Sequence, residues 1–173
     1  MKKTILASLL TVAVLGPLPA FASDGTITFT GAVTAQTCTI NGGAPSFTKA
    51  LPKVSSANLT SGKKAGQTNF SIALTACTPK SGSARVFFEA GPNVNAATGR
   101  LKNTSVTNVE IGLANADGTD ITIGAPSGLQ GTDYVKISDA GDATLNYLAQ
   151  YVATGAAGTG DVKTSVTYSV EYQ

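Results

Sequence analysis

The chain has 173 residues, of which 42% are hydrophobic and only 13% charged, with a formal net charge of +2. That length suits one domain, and that hydrophobic share excludes a disordered chain. With no His, no Trp, one Met and two Cys, a Ser-His-Asp or Cys-His hydrolase is excluded, a closed zinc site of the usual kind lacks ligands, and the charge is too small for a nucleic-acid footprint.

The chain begins with Met1, Lys2 and Lys3, followed by an apolar run over 4–15 that Gly16 and Pro17 break. Ala20 and Ala22 then stand at the two small-residue positions a signal peptidase reads, so 1–22 is expected to be a secretory signal peptide. The apolar run is about 12 residues, against roughly 20 needed to span a bilayer. Cleavage after Ala22 removes Lys2 and Lys3 and brings the balance of charges from +2 to zero.

Export makes the cysteines legible. Cys38 and Cys77 are the only pair, so an oxidising compartment is expected to join them. Closing a loop of that size is worth about 4 kcal/mol in the chain-entropy model. A redox pair would want a short spacing such as Cys-x-x-Cys, which is absent.

The remaining chain reads as strands. In 26–33, Ile27, Phe29, Gly31 and Val33 alternate with threonines. Phe70, Ile72, Leu74 and Ala76 alternate up to Cys77. A short strand with two adjacent aromatics covers 85–90. Val109, Ile111 and Leu113 alternate, Asp117 and Gly118 turn the chain as a hairpin signal because both tolerate positive φ, and Ile121 and Ile123 follow. Val135 and Ile137 mark another short strand. Leu145, Tyr147, Ala149 and Tyr151 alternate, and Val166, Tyr168, Val170 and Tyr172 close the chain. Gly, Asn, Ser, Thr and Pro clusters separate these runs, and no window carries a helical period. Seven or eight short strands with a bridging disulfide indicate a β-sandwich. Both ends are amphipathic strands, which allows two readings: the two pair inside one sandwich, or one is exported to a neighbour as in strand addition.

A signal peptide, a short N-terminal strand over 24–33, a segment Gln36 to Ile40 around Cys38 with its partner over 71–77, and the ending 160–173 together resemble the major subunits of chaperone–usher, type 1-like fimbriae of Gram-negative bacteria. In that family the penultimate residue is typically Tyr and a Gly sits fourteenth from the end; Tyr172 and Gly160 hold those places here.

The resemblance implies an all-β fold, an incomplete immunoglobulin-like β-sandwich whose final strand is missing, with an N-terminal donor strand and one disulfide. It divides the chain into a signal peptide (1–22), a donor-strand extension (23–35) and a pilin domain (36–173). Gly25, Ile27, Phe29, Gly31 and Val33 become the donor face, with Gly25 for a shallow pocket where only glycine lets the backbone approach. A groove beside the last strand, 162–172, becomes the acceptor, with Gly160, Val166, Tyr168, Val170 and Tyr172 on its side; Thr167, Ser169 and Glu171 face solvent or a rim. A periplasmic chaperone fills the groove first, its basic residues holding the carboxylate of Gln173. The next subunit's donor strand then replaces it. The implied partners are identical subunits, the chaperone, an outer-membrane usher, and a tip adhesin or adaptor subunit, with no nucleic acid. The destination is a cell-surface fimbria reached through the periplasm. The head-to-tail link does not close on itself and gives an open fibre supporting adhesion.

Other motifs carry less. Gly155, Gly158 and Gly160 lack the strand–loop–helix setting of a phosphate loop. The scattered aspartates at 117, 120, 133, 139 and 142 suit turns better than calcium, and Glu89, Glu110 and Glu171 offer no carboxylate pair for glycoside hydrolysis. No cofactor, metal or catalytic residue is expected. The rival readings are a minor adaptor or adhesive subunit and a self-contained secreted β-sandwich.

Overall fold

A computed structural model describes residues 25–31 and 33–173. The expected signal peptide, 1–22, lies outside these residues. Thr34–Gln173 form one compact unit, separate from the residues before it.

That unit carries ten strands: β1 (Thr37–Ile40), β2 (Lys64–Thr78), β3 (Ser83–Phe88), β4 (Val94–Asn95), β5 (Arg100–Lys102), β6 (Val109–Asn115), β7 (Asp120–Ile121), β8 (Val135–Lys136), β9 (Ala143–Ala153) and β10 (Tyr168–Tyr172). They form two antiparallel sheets. The larger runs β1-β2-β9-β6-β5-β4, with β7 joined to β6, and the smaller runs β10-β3-β8. One apolar core is shared between them: Ile72 and Leu74 of β2, Ile111 and Leu113 of β6, Leu145 of β9, and Val86 and Phe88 of β3 are all buried in it. Burying each such side chain stabilises by about 1.5–3 kcal/mol.

Alternation explains the long strands. In β2 and β9, Ile72 stands opposite Leu145 and Phe70 opposite Tyr147, so one face of each strand is apolar. β6 is buried on both faces, and two of its outward positions, Gly112 and Ala114, are small. A Cβ on Gly112 would lie 3.0 Å from Val152 Cγ2.

Four details differ from the sequence reading. The alternation of β2 does not continue through Ala76, which is exposed while Cys77 is fully buried. Ala76 has φ +52°. There three residues of β2, ending at Thr78, face the two of β1 that end at Thr37. This bulge inserts one residue and turns Cys77, rather than Ala76, inward, where it is disulfide-bonded to Cys38. The hairpin at 115–119 forms as expected, but only Gly118 adopts positive φ. Asp117 instead accepts from the Thr119 N–H at 2.8 Å, an Asx turn; these hydrogen bonds hold its carboxyl below the usual value.

The last strand starts at Tyr168, so Val166 precedes it. The fourth difference lies at the N-terminus. Residues 25–31 and 33 belong to no strand, although their alternation reads as one. An alternating run needs a partner strand to complete its ladder.

An open strand edge as the candidate functional site

β10 is built from alternating residues, and alternation gives it two distinct sides. Its register against β3 pairs Tyr168 with Phe88, Val170 with Val86 and Tyr172 with Ala84. Gln173 and Ser83 exchange N–H···O bonds in both directions at 2.9 Å, and Glu89 N–H donates to Thr167 O at 3.0 Å. Antiparallel geometry then directs the N–H and C=O groups of 167, 169, 171 and 173 toward β3 and those of Tyr168, Val170 and Tyr172 away from it. Among the described residues β10 has a strand partner on one side only. Its other edge is a row of backbone groups able to receive a strand.

The far edge of β3 is closed instead. β8 pairs with Ser83 and Ala84. The Val86 N–H donates to Tyr147 Oη at 3.1 Å. The Phe88 N–H donates to Gln130 Oε1 at 2.9 Å, and Gln130 Nε2 donates to Phe88 O at 2.6 Å and to Ala125 O at 3.0 Å. Gln130 is buried, and its amide stands where a neighbouring strand's peptide would. Burial pushes the Tyr147 hydroxyl above its ordinary pKa, against the opposing effect of the Val86 N–H.

Beneath the open edge lies an apolar floor. Val162, Val166, Tyr168, Val170 and Tyr172 are half-buried and pack on the core, and from the larger sheet's side Ile40, Leu51 and Phe70 do the same. Thr164 falls in the same alternation, with its Oγ1 buried and lacking a hydrogen-bond partner. Phe47 is 47% exposed. It begins an aromatic series into the core: Phe47 to Phe70 at 6.3 Å, Phe70 to Tyr147 at 5.7 Å, Tyr147 to Phe88 at 5.4 Å. The Tyr168 hydroxyl donates to Pro45 O at 2.7 Å, tying β10 to the chain before β2. Partial burial raises the hydroxyl pKa of Tyr168 and Tyr172.

On the opposite face Glu171 does more than meet solvent. Its Oε2 accepts from Arg85 Nη2 at 2.7 Å and Nε at 2.8 Å, and the Arg85 guanidinium lies 4.4 Å from the centre of the Tyr134 ring. Gly160 has φ +144°, and a Cβ there would stand 3.3 Å from Val106 Cγ2. Gln173 is exposed, but its backbone completes the ladder with Ser83.

The structure thus brings together Val166, Tyr168, Val170 and Tyr172, with Gln173 at their end. Residues Gly25, Ile27, Phe29, Gly31 and Val33 lie in the other unit and are all exposed. Ile27 is 79% exposed, Phe29 89% and Val33 104%. Sequence reasoning missed the contributions of Tyr147, Gln130, Phe47 and Thr164. Only Thr164 carried a signal, since it sits in step with Val162 and Val166.

The profile of the family described as Type-1 fimbrial protein, A matches residues 51–173. The major fimbrial subunit SMF-1 of Stenotrophomonas maltophilia is 44% identical over 165 residues, 90% of this chain and 96% of that one. The F17 fimbrial protein of Escherichia coli is 44% identical over 161 residues, 88% of this chain and 89% of that one. The crystal structure of the P pilus rod subunit PapA superposes with a TM-score of 0.62 at 24% identity, over 79% of this chain and 99% of that one, and shares the fold.

Proposed function

The chain belongs to the type-1 fimbrial protein family and is a structural subunit of a surface fimbria, and from that footing we propose that it polymerises head to tail by strand donation. Its fold is the immunoglobulin-like sandwich of pilus subunits with the last strand missing. In this proposal 1–22 is removed on export, 23–35 is the donor extension and 36–173 is the acceptor domain. Gly25, Ile27, Phe29, Gly31 and Val33 of one subunit enter the next subunit's groove beside Val166, Tyr168, Val170 and Tyr172.

The observation that carries the reading is the one-sided pairing of β10 above an apolar floor. An added strand would meet the outward N–H and C=O groups of Tyr168, Val170 and Tyr172 and cover that floor. The exposed Ile27, Phe29 and Val33 supply apolar side chains that a soluble chain does not ordinarily leave in water. Before assembly a periplasmic chaperone fills the groove, holding the Gln173 carboxylate, and an outer-membrane usher and a tip adhesin or adaptor complete the pathway. The role is mechanical: the subunit carries no chemistry, and adhesion follows from the fibre.

The test is self-complementation. Appending a second copy of residues 23–35 after Gln173 through a flexible linker should give a monomer more stable than the parent and unable to accept another donor. A variant no more stable than the parent would refute the proposal.

A further inference from the structure

We propose that Gln36 is a positioning residue that fixes how the donor arm leaves its own domain and so stiffens the joint between successive subunits; this rests on the strand-donation reading. Gln36 Nε2 donates to Pro79 O at 3.1 Å and to Ser81 O at 2.8 Å. Its own N–H donates to Thr34 Oγ1 at 3.1 Å. Both amide protons are therefore committed to the turn between β2 and β3.

Those bonds are not needed to hold β1. One residue later Thr37 pairs with Thr78, and two residues later Cys38 is joined covalently to Cys77. The carbonyls involved lie at an exposed turn, where water would satisfy them equally well. What the tether adds is direction for the chain on its N-terminal side, where Thr34 and Ala35 are exposed.

The same turn also meets the end of the acceptor strand. A Cβ on Gly82 would lie 2.5 Å from Gln173 O and 3.3 Å from Gln36 Oε1. The root of a subunit's donor arm and the last rung of its own acceptor ladder therefore share one support. Only Thr34 and Ala35 separate Val33 from Gln36, a span of at most about 11 Å. A neighbour gripping Val33 is held within that distance of Gln36. Without the tether the leash runs from Thr37, reaches about 14 Å and can swing.

The test compares fibres sheared from cells expressing the wild-type chain, Gln36→Ala, and Gln36→Arg, which keeps two N–H donors on one planar group. Contour tracing by electron microscopy gives the persistence length, and an unboiled SDS gel reports strand linkage. The inference expects Gln36→Ala fibres with an unchanged ladder of multimers and a persistence length reduced about two-fold or more, because two hydrogen bonds no longer restrain the joint. Gln36→Arg should recover most of the stiffness.

An equal persistence length in Gln36→Ala and wild type, with both ladders present, overturns this inference alone. Absence of fibres in Gln36→Ala, whether or not the subunit still folds when residues 23–35 are supplied as a peptide, also overturns it, since Gln36 then acts in assembly or folding and not in the joint. A wild-type ladder missing from the unboiled gel would instead sink the strand-donation reading.

Discussion

Phe29→Ala isolates the donor side of the link. Phe29 is 89% exposed in the subunit, so removing its ring takes nothing from that subunit's own core. Under the proposed strand donation the ring would be buried in the neighbour's groove, a transfer from water worth about 1.5–3 kcal/mol. At about 1.4 kcal/mol per factor of ten, the link should weaken roughly 10- to 150-fold. Thr28, on the other face of the same run, supplies the control: Thr28→Ala should alter affinity by less than about three-fold, the range of an ordinary surface substitution. Labelled peptides spanning 23–35, carrying either change or neither, can be loaded onto the subunit and their release followed. Equal release of the Phe29→Ala and unaltered peptides would refute the donor-face assignment. Faster release of the Thr28→Ala peptide than of the Phe29→Ala peptide would place the opposite face in the groove.

Three further variants test the domain formed by Thr34–Gln173. Tyr147→Phe leaves the buried Val86 N–H without an acceptor, and an orphaned donor costs about 1–3 kcal/mol. The urea midpoint should fall with the slope unchanged, and an unmoved midpoint would show that Tyr147 does not seal the β3 edge. Replacing both Cys38 and Cys77 by Ala removes a link spanning a sequence separation of 39, worth about 4 kcal/mol by loop closure; undiminished periplasmic yield would contradict this. Gly82→Ala places a Cβ at φ +85°, 2.5 Å from Gln173 O, so the melting temperature should fall with a loss of about 1–2 kcal/mol, and an unchanged melt would show that the last rung is dispensable.

A pH prediction follows from the tyrosines. Burial raises the hydroxyl pKa of Tyr147, Tyr151, Tyr168 and Tyr172 above 10.0. The folded state then keeps protons that the unfolded chain releases. Their contribution is complete below pH 10.0 and is lost as pH rises through the folded values. Stability flat from pH 9 to beyond 11, where an unfolded tyrosine of pKa about 10 is ionised, would contradict the burial of these hydroxyls.

Period-two alternation exposed most of this fold because β2, β3, β6 and β9 each bury one face against the same core. It failed at Ala76, where the strand adds a residue so that Cys77 can face Cys38. A bulge is set by what the strand must meet, which local pattern does not encode. It also set the last strand two residues too early at Val166, which packs inward without joining the ladder. In 26–33 the alternation reports which side chains want burial and is silent on which molecule buries them. The sealing of β3 by Tyr147 and Gln130 and the tether from Gln36 to Pro79 and Ser81 join residues 42 or more apart. Only the folded chain brings them together. The inward side of β10 was readable because Tyr168, Val170 and Tyr172 alternate along one strand.

The central claim is that subunits are linked by non-covalent strands. Its most direct test is an SDS gel of the sheared cell-surface fraction, run with and without boiling. The unboiled lane should show a ladder of multimers that collapses on boiling to one band at the mass of a chain lacking residues 1–22. Monomer alone in both lanes would contradict it.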